Sequence, residues 1–438
     1  MDNAAVNLSS NNNVLFLVVG TGSGNDAYFN TLCAAIDKSG AENIYLLLSK
    51  ISIKIADSLK NKYSKLKKIK TFCFDENNME FDADKCFIFF DNIFQNTLDA
   101  GFLPENIIID FTHGTKPMSA ALYAIGMRYK INTFQYVVRQ KDNNGSFIDG
   151  LEIVKTFDAS YAKWLAIIDE CKLLFKNWQF AAINLLLSGT KTPKYLKRQI
   201  EQIKILADFY RDWDRLDYIS AYKNYPHFPA PAGFIAPDAG VQKLLEQLSS
   251  NMKEANNTTA EVLSVNDLEH NKQLAINLMF DIYANGLRRL NAGHLEDAGI
   301  RAYRLAELLG QIYLFENGYM SDYMSASDKR VQKFADAAHI YKDIKSDIYK
   351  PFGRKTVISF LKFINHNRLQ TEFLEKIEHD IQEIRNKSIL IHGYSSKAND
   401  IEKLKAIFEA LINQLRNTDN FENKKASALF MNKFKDIK

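Results

Sequence analysis

The chain has 438 residues, 46% of them hydrophobic and 25% charged, a composition that supports a folded core and excludes a largely disordered protein. Its 56 basic and 52 acidic residues leave a net charge of only +4, so bulk electrostatics do not mark a nucleic-acid protein, and any anion site must be local. The four cysteines, Cys33, Cys73, Cys86 and Cys171, form no C-x-x-C pair and no paired spacing with histidine, which argues against a zinc cluster or disulfide framework and fits a reduced cytoplasm.

The N-terminal "MDNAAVNLSSNNN" lacks a basic and then apolar leader pattern, and no stretch approaches the ~18 apolar residues of a membrane span. A soluble, cytoplasmic protein is expected. At this length two or three domains are expected.

From residue 14 onward, short β-branched or aromatic runs alternate with helical patterns. "VLFLVVG" (14–20), "NIYLLLS" (43–49), "IKTFCF" (69–74), "NIIIDFT" (106–112) and "TFQYVV" (133–138) read as strands, most of them too continuously apolar to keep a solvated face. The reading is an α/β, Rossmann-like N-terminal domain over residues 1–157, built on an open and mainly parallel sheet, with "FIDGLEIV" as an antiparallel edge.

Beyond residue 157 the strand pattern fades. "YAKWLAIIDECKLLFKNWQFAAINLLL" and "PKYLKRQIEQIKILADFYRDWDRLDYISAY" have helical periodicity, and "YPHFPAPAGFIAPDAG" (226–240) reads as a loop. Residues 158–264 are expected to form a helical linker domain. An all-α C-terminal region over 265–438 follows, with helices near 267–291, 295–316, 370–392 and 396–416.

Two strand-to-helix turns are candidates for ligand binding. In "IIIDFTHGTKPMSAAL" a buried strand runs into Thr112, His113, Gly114, Thr115 and Lys116, and Pro117 then suits the first turn of a helix. Backbone N–H groups, two hydroxyls and a lysine at such a turn suit a phosphate, although the Walker A spacing is absent. "GTGSGN" places Gly20, Thr21, Gly22 and Ser23 after the first strand. Such a turn serves either close packing or ligand binding. The two turns meet over a ligand if their strands are neighbours, because open α/β sheets bind at strand C-termini where the strand order reverses.

The second strand ends in Ser49 and Lys50 rather than in an acidic residue, and the third glycine of a dinucleotide fingerprint is missing. Lys50 suits a phosphate-rich ligand better than a nicotinamide cofactor.

In "FLEKIEHDIQEIRNKSILIHGY", Leu374, Ile377, Ile381, Ile384, Ser388 and Ile391 form a stripe that is core by its spacing. Arg385 and His392 lie two turns apart on one edge of it, ~10.5 Å along the axis. Histidine exchanges a proton near neutral pH and arginine holds a phosphate through two fixed hydrogen bonds, so the pair suits metal-independent phosphodiester cleavage. An ordinary helix end, with a cation beside Gly393, is the alternative. Asn386 sits ~100° away around the helix and suits partner contact or backbone support. Arg301, Arg304 and Glu307 form either a surface ion-pair row or part of a polar site, and His379 with Glu383 reads as a solvated face; no metal site is assigned.

These residues resemble a known family. "DFTHGTKPMSAAL" is similar to the lysine-bearing turn of CARF domains, the Rossmann-like sensors of CRISPR-associated proteins, and "RNKSILIHG" is similar to the Arg-x(4–6)-His motif of HEPN ribonucleases. "IYANGLRRLNAGHLEDAGIRAYRLAELLGQIYL" resembles the start of the HEPN portion of CARF-HEPN proteins. The resemblance implies a type III CRISPR accessory endoribonuclease that cuts single-stranded RNA without metal or cofactor. It also implies a homodimer activated by a cyclic oligoadenylate (cA4 or cA6), with a composite site made by Arg385 and His392, and Asn386 beside them, where two HEPN domains meet. Neither DNA nor membrane is an expected partner. His113 departs from the family, standing where glycine is common. Two other outputs fit the same sensor: a binding or transcriptional module, and a ring nuclease that degrades the cyclic ligand.

Overall fold

The computed structural model describes residues 13–20, 26–141, 147–188, 192–257, 265–343, 347–387 and 399–436. It divides into two units, Met1–Ile168 and Asp169–Lys438.

The first unit is built on strands β1 (Val14–Val19), β2 (Asn43–Leu48), β3 (Lys68–Cys73), β4 (Ile107–Asp110), β5 (Thr133–Lys141) and β6 (Phe147–Asp158). They form one sheet in the order β3-β2-β1-β4-β5-β6, parallel throughout except for β6, which runs antiparallel to β5. Helices α1 (Asp26–Ser39), α2 (Ile53–Tyr63), α3 (Ala83–Asp99) and α4 (Lys116–Arg128) connect the parallel strands.

Every residue of β1 is fully buried, because alternate side chains enter two separate cores. Val14, Phe16 and Val18 pack with residues of α3 and α4, such as Phe90, Phe94 and Leu122. Leu15, Leu17 and Val19 pack with residues of α1 and α2, such as Leu32, Ile36 and Leu59. Covering on both faces explains why the strand reads as an uninterrupted apolar run. β3, by contrast, is an edge strand that keeps Lys68 and Lys70 exposed.

The order of the strands fixes the position of a site. The chain passes from β1 outward to β2 and β3, then returns to place β4 on the other side of β1. The order therefore reverses between β1 and β4, and the C-terminal ends of these two paired strands open a crevice.

The second unit is helical. α5 (Ser160–Lys176), which begins in the first unit, is followed by α6 (Phe180–Leu187), α7 (Lys197–Asp214), α8 (Tyr218–Lys223) and α9 (Ala239–Asn257). Then come α10 (Val265–Asn291), α11 (Leu295–Glu316), α12 (Lys329–Ala337), α13 (Arg354–Phe363), α14 (Arg368–Lys387), α15 (Asn399–Asn413) and α16 (Phe421–Ala428). The two long periodic stretches after residue 157 are each broken by a non-glycine residue at positive φ, Trp178 (φ 59°) in the first and Leu216 (φ 65°) in the second. Among the described residues no helix is long and apolar enough to cross a membrane.

A buried polar network ties α7 and α8 to α10 and α11. Asp214 accepts from Arg288 Nε at 3.0 Å and Asn285 Nδ2 at 3.1 Å, and pairs with Arg289. Arg301 donates to Asn285 and to the carbonyl of Asp297. Asp281, fully buried, accepts from Trp213 Nε1 and Tyr218 Oη, each at 2.8 Å. Burial pushes the Asp281 carboxyl up, while the neighbouring Arg288 and these two donors oppose the shift.

Candidate functional site

The crevice between β1 and β4 is a cavity of about 510 Å³ in the first unit. Of the sequence-derived ligand residues, Gly20, Thr112, His113, Gly114 and Thr115 line it. The two turns touch. A Cβ placed on Gly20 would lie 2.9 Å from Gly114 Cα, and one on Gly114, whose φ is +88°, would lie 2.2 Å from Val18 Cγ1. Both positions thus require glycine for close approach, and Gly114 requires it for conformation as well.

The threonine hydroxyls are also tied into the turn itself. Thr112 Oγ1 accepts from Val137 N at 2.8 Å, tying the β4 turn to β5. Thr115 caps α4, accepting from Met118 N at 3.3 Å, and its hydroxyl donates to the carbonyl of Glu80. Both hydroxyls therefore shape the turn, and the N-terminus of α4 supplies the anion-attracting groups there.

Asp110 reinforces the same turn from below the cavity. Its carboxylate accepts from Thr112 N at 2.9 Å and from Gln135 Nε2 at 3.0 Å. Burial pushes the Asp110 carboxyl up and these hydrogen bonds hold it down.

His113 is buried, at 6% exposure. Thr31 Oγ1 lies 2.7 Å from the Tyr28 carbonyl and 2.7 Å from His113 Nε2, within hydrogen-bond distance of both. His113 Nδ1 has no partner among the described residues. Burial lowers the His113 pKa from 6.5 to about 4, so the imidazole is neutral near pH 7. Tyr28 meets the His113 ring edge-on at 5.1 Å and closes the β1 turn, accepting from Gly20 N at 2.8 Å and donating to Gly20 O at 3.1 Å.

Lys116 is exposed at the first position of α4, and Lys50 is exposed two residues beyond the end of β2; neither is among the lining residues. Thr21, Gly22 and Ser23 lie outside the described residues.

Residues not identified from sequence complete the wall: Tyr28, Thr31, Ser49, Glu80, Phe81 and Arg139 among them. Arg139 carried a usable signal, as a cation at the C-terminal end of an apolar strand on the same bearing as Val137. Glu80 carried none, because it comes from the segment between β3 and α3.

In the second unit, Arg385 and Asn386 belong to the backbone of α14, and their side chains, like His392, lie outside the described residues. Leu374, Ile377 and Ile381 are buried, so the first half of the expected stripe is core. Seven residues before Arg385, on nearly the same helical bearing, Glu378 accepts from Arg354 NH2 at 2.9 Å, and the Arg354 guanidinium lies 3.8 Å from the Tyr303 ring centroid. Arg304 pairs with Glu307 on the surface, whereas Arg301 belongs to the buried network. His379 is exposed, and Glu383 pairs with Lys403. Among the described residues no cluster of His, Cys, Asp or Glu is arranged to hold a metal ion.

Residues 267–419 match the family model described as Csm6 HEPN domain. Among solved structures, Enterococcus italicus Csm6 bound to cyclic hexa-2'-fluoro-hexa-dAMP matches with a TM-score of 0.54 at 15% identity, over 97% of this chain and 100% of that one. No curated protein matches the chain by sequence. The structural match establishes a shared fold across nearly the whole chain, and the family match falls on the region where the HEPN resemblance was drawn.

Proposed function

We propose a function for this chain from the premise that it has the fold of the CARF-HEPN proteins and carries a Csm6-type HEPN domain: it is a single-stranded RNA endoribonuclease of type III CRISPR defence, switched on by a cyclic oligoadenylate. The observation that carries the reading is the joining, in one chain, of a HEPN match over 267–419 to a Rossmann-like unit whose β1 and β4 turns meet over a cavity of about 510 Å³. Residues 1–157 are the sensor, 158–264 a helical linker and 265–438 the ribonuclease domain, in a cytoplasmic homodimer.

Two copies of the sensor present the His113–Lys116 turn twice to a ligand that is itself a ring of repeated nucleotides. The α4 N-terminus and Arg139 attract its phosphates, and Lys50 and Lys116 add positive charge outside the cavity wall. Ligand binding activates cleavage to the extent that it favours one dimer arrangement over another.

In the ribonuclease domain, the RNA 2'-hydroxyl attacks the adjacent phosphorus and the 5'-oxygen leaves. His392 handles the proton and Arg385 clamps the phosphoryl oxygens, so the reaction needs no metal. Asn386 supports this group across the dimer. The Arg354–Glu378 pair and Tyr303 anchor α14 two turns earlier and orient the helix that carries them.

His392→Ala and Arg385→Ala should each lower RNA cleavage by about 10²-fold or more while leaving ligand binding intact. Parental cleavage rates in both variants would remove the pair from the active site. Lys116→Ala should raise the ligand concentration needed for activation without changing the fully activated rate.

A further inference from the structure

Glu80 is the unexplained group of the sensor cavity. It sits in the 3-10 turn Met79–Phe81, is 6% exposed and lines the cavity. Its backbone carbonyl is used, accepting from Thr115 Oγ1. Among the described residues its carboxylate receives no hydrogen bond and pairs with no cation.

Its carboxylate oxygens are not among the buried atoms left without a partner, so they open onto the cavity, where a ligand can donate to them. That partner cannot be a phosphate, since two anions repel. The ligand group facing Glu80 must therefore be a neutral hydrogen-bond donor. On a nucleotide whose phosphates lie at the β1 and β4 turns, the groups of that kind are a ribose hydroxyl and the exocyclic amine of a base. Two neighbours of the cavity fit the same part of a nucleotide. Phe81 and Ile51, both lining residues, are 64% and 69% exposed and offer apolar surface to a base or sugar. His113 Nδ1 is a second polar atom without a partner among the described residues.

We infer that Glu80 is a specificity-determining residue of the sensor, accepting a hydrogen bond from an O–H or N–H of the bound nucleotide and so selecting against ligands that lack that donor. This rests on the proposed function, deepening it at the same site. Loss of the donor leaves the carboxylate buried and unpaired in the complex, which is why discrimination is expected to be large.

The test measures binding of cyclic tetra-adenylate and cyclic hexa-adenylate to the full-length protein and to Glu80→Gln and Glu80→Ala, alongside the thermal midpoint of each ligand-free protein. Each cyclic ligand is also offered with 2'-deoxyribose or with N6-dimethyladenine. The expected result is binding weakened about 10-fold or more in both variants, with an unchanged thermal midpoint, because the Glu80 side chain makes no hydrogen bond or ion pair among the described residues. The parent should reject one modified ligand by a similar factor, and Glu80→Ala should lose that discrimination; the analogue concerned identifies the donor as hydroxyl or amine. Parental affinity in both variants would overturn the inference and leave the sensor reading intact. A lowered thermal midpoint with unchanged discrimination would assign Glu80 a purely structural role. If the parent binds neither ring, the inference falls together with the reading it rests on.

Discussion

At the scale of single residues, His113 shows how a side chain that is ambiguous in sequence becomes definite in the fold. Its Nε2 lies 2.7 Å from the buried Thr31 hydroxyl, a partner 82 residues away in the chain. Burial holds the folded pKa near 4, whereas the unfolded chain protonates around 6.5. As pH falls below 6.5 the unfolded state takes up the proton first, so stability drops between about pH 6.5 and pH 4. This group alone should remove about 2 kcal/mol between pH 7.5 and pH 5. Denaturant titrations at those two pH values should show His113→Gln losing that much less than the parent. Equal losses would mean that His113 titrates normally in the folded protein. The residues around it mark the limit of sequence reading. Thr112 and Thr115 were legible as members of the turn, but their commitment to Val137 and Glu80 depends on partners 25 and 35 residues distant.

At the scale of elements, the parallel strands were legible because burial on both sheet faces leaves continuous apolar runs, and the edge strand β6 because a turn signal precedes it. The meeting of the β1 and β4 turns was legible only conditionally, since strand order is not written in periodicity. The helical part was harder to read. Arg301 has the spacing of a surface ion-pair row with Arg304 and Glu307, yet it donates to Asn285 within the buried network, because α7 brings Asp214 and α10 brings Asn285 to the same place. This network makes α7 integral to the packing of α10 and α11. Asp214→Ala should cost about 3–5 kcal/mol, because Arg288, 1% exposed, is left without its carboxylate. Asp217→Ala, which removes only the exposed cap of α8, should cost about 1 kcal/mol. Urea unfolding of the two variants checks the contrast, and similar losses would show that the Asp214 network contributes no more than a surface cap.

At the scale of the molecule, the proposal joins two chemistries that neither unit displays alone. The first unit offers a crevice at the reversal of strand order, with Arg139, Glu80 and the His113–Thr115 turn at the start of α4 in its wall. The second carries the Csm6 HEPN match on a helical scaffold whose α14 is fixed by the buried Arg354–Glu378 pair. Sensor and output make a switch only if occupancy of the first changes the rate at the second. The most direct test is cleavage of a fluorescent single-stranded RNA by the full-length protein in EDTA, with cyclic tetra-adenylate, with cyclic hexa-adenylate, or with neither. Cleavage in the presence of one ring only is the predicted result. Equal cleavage without ligand, or none with either ring despite measured binding, would contradict a ligand-gated ribonuclease.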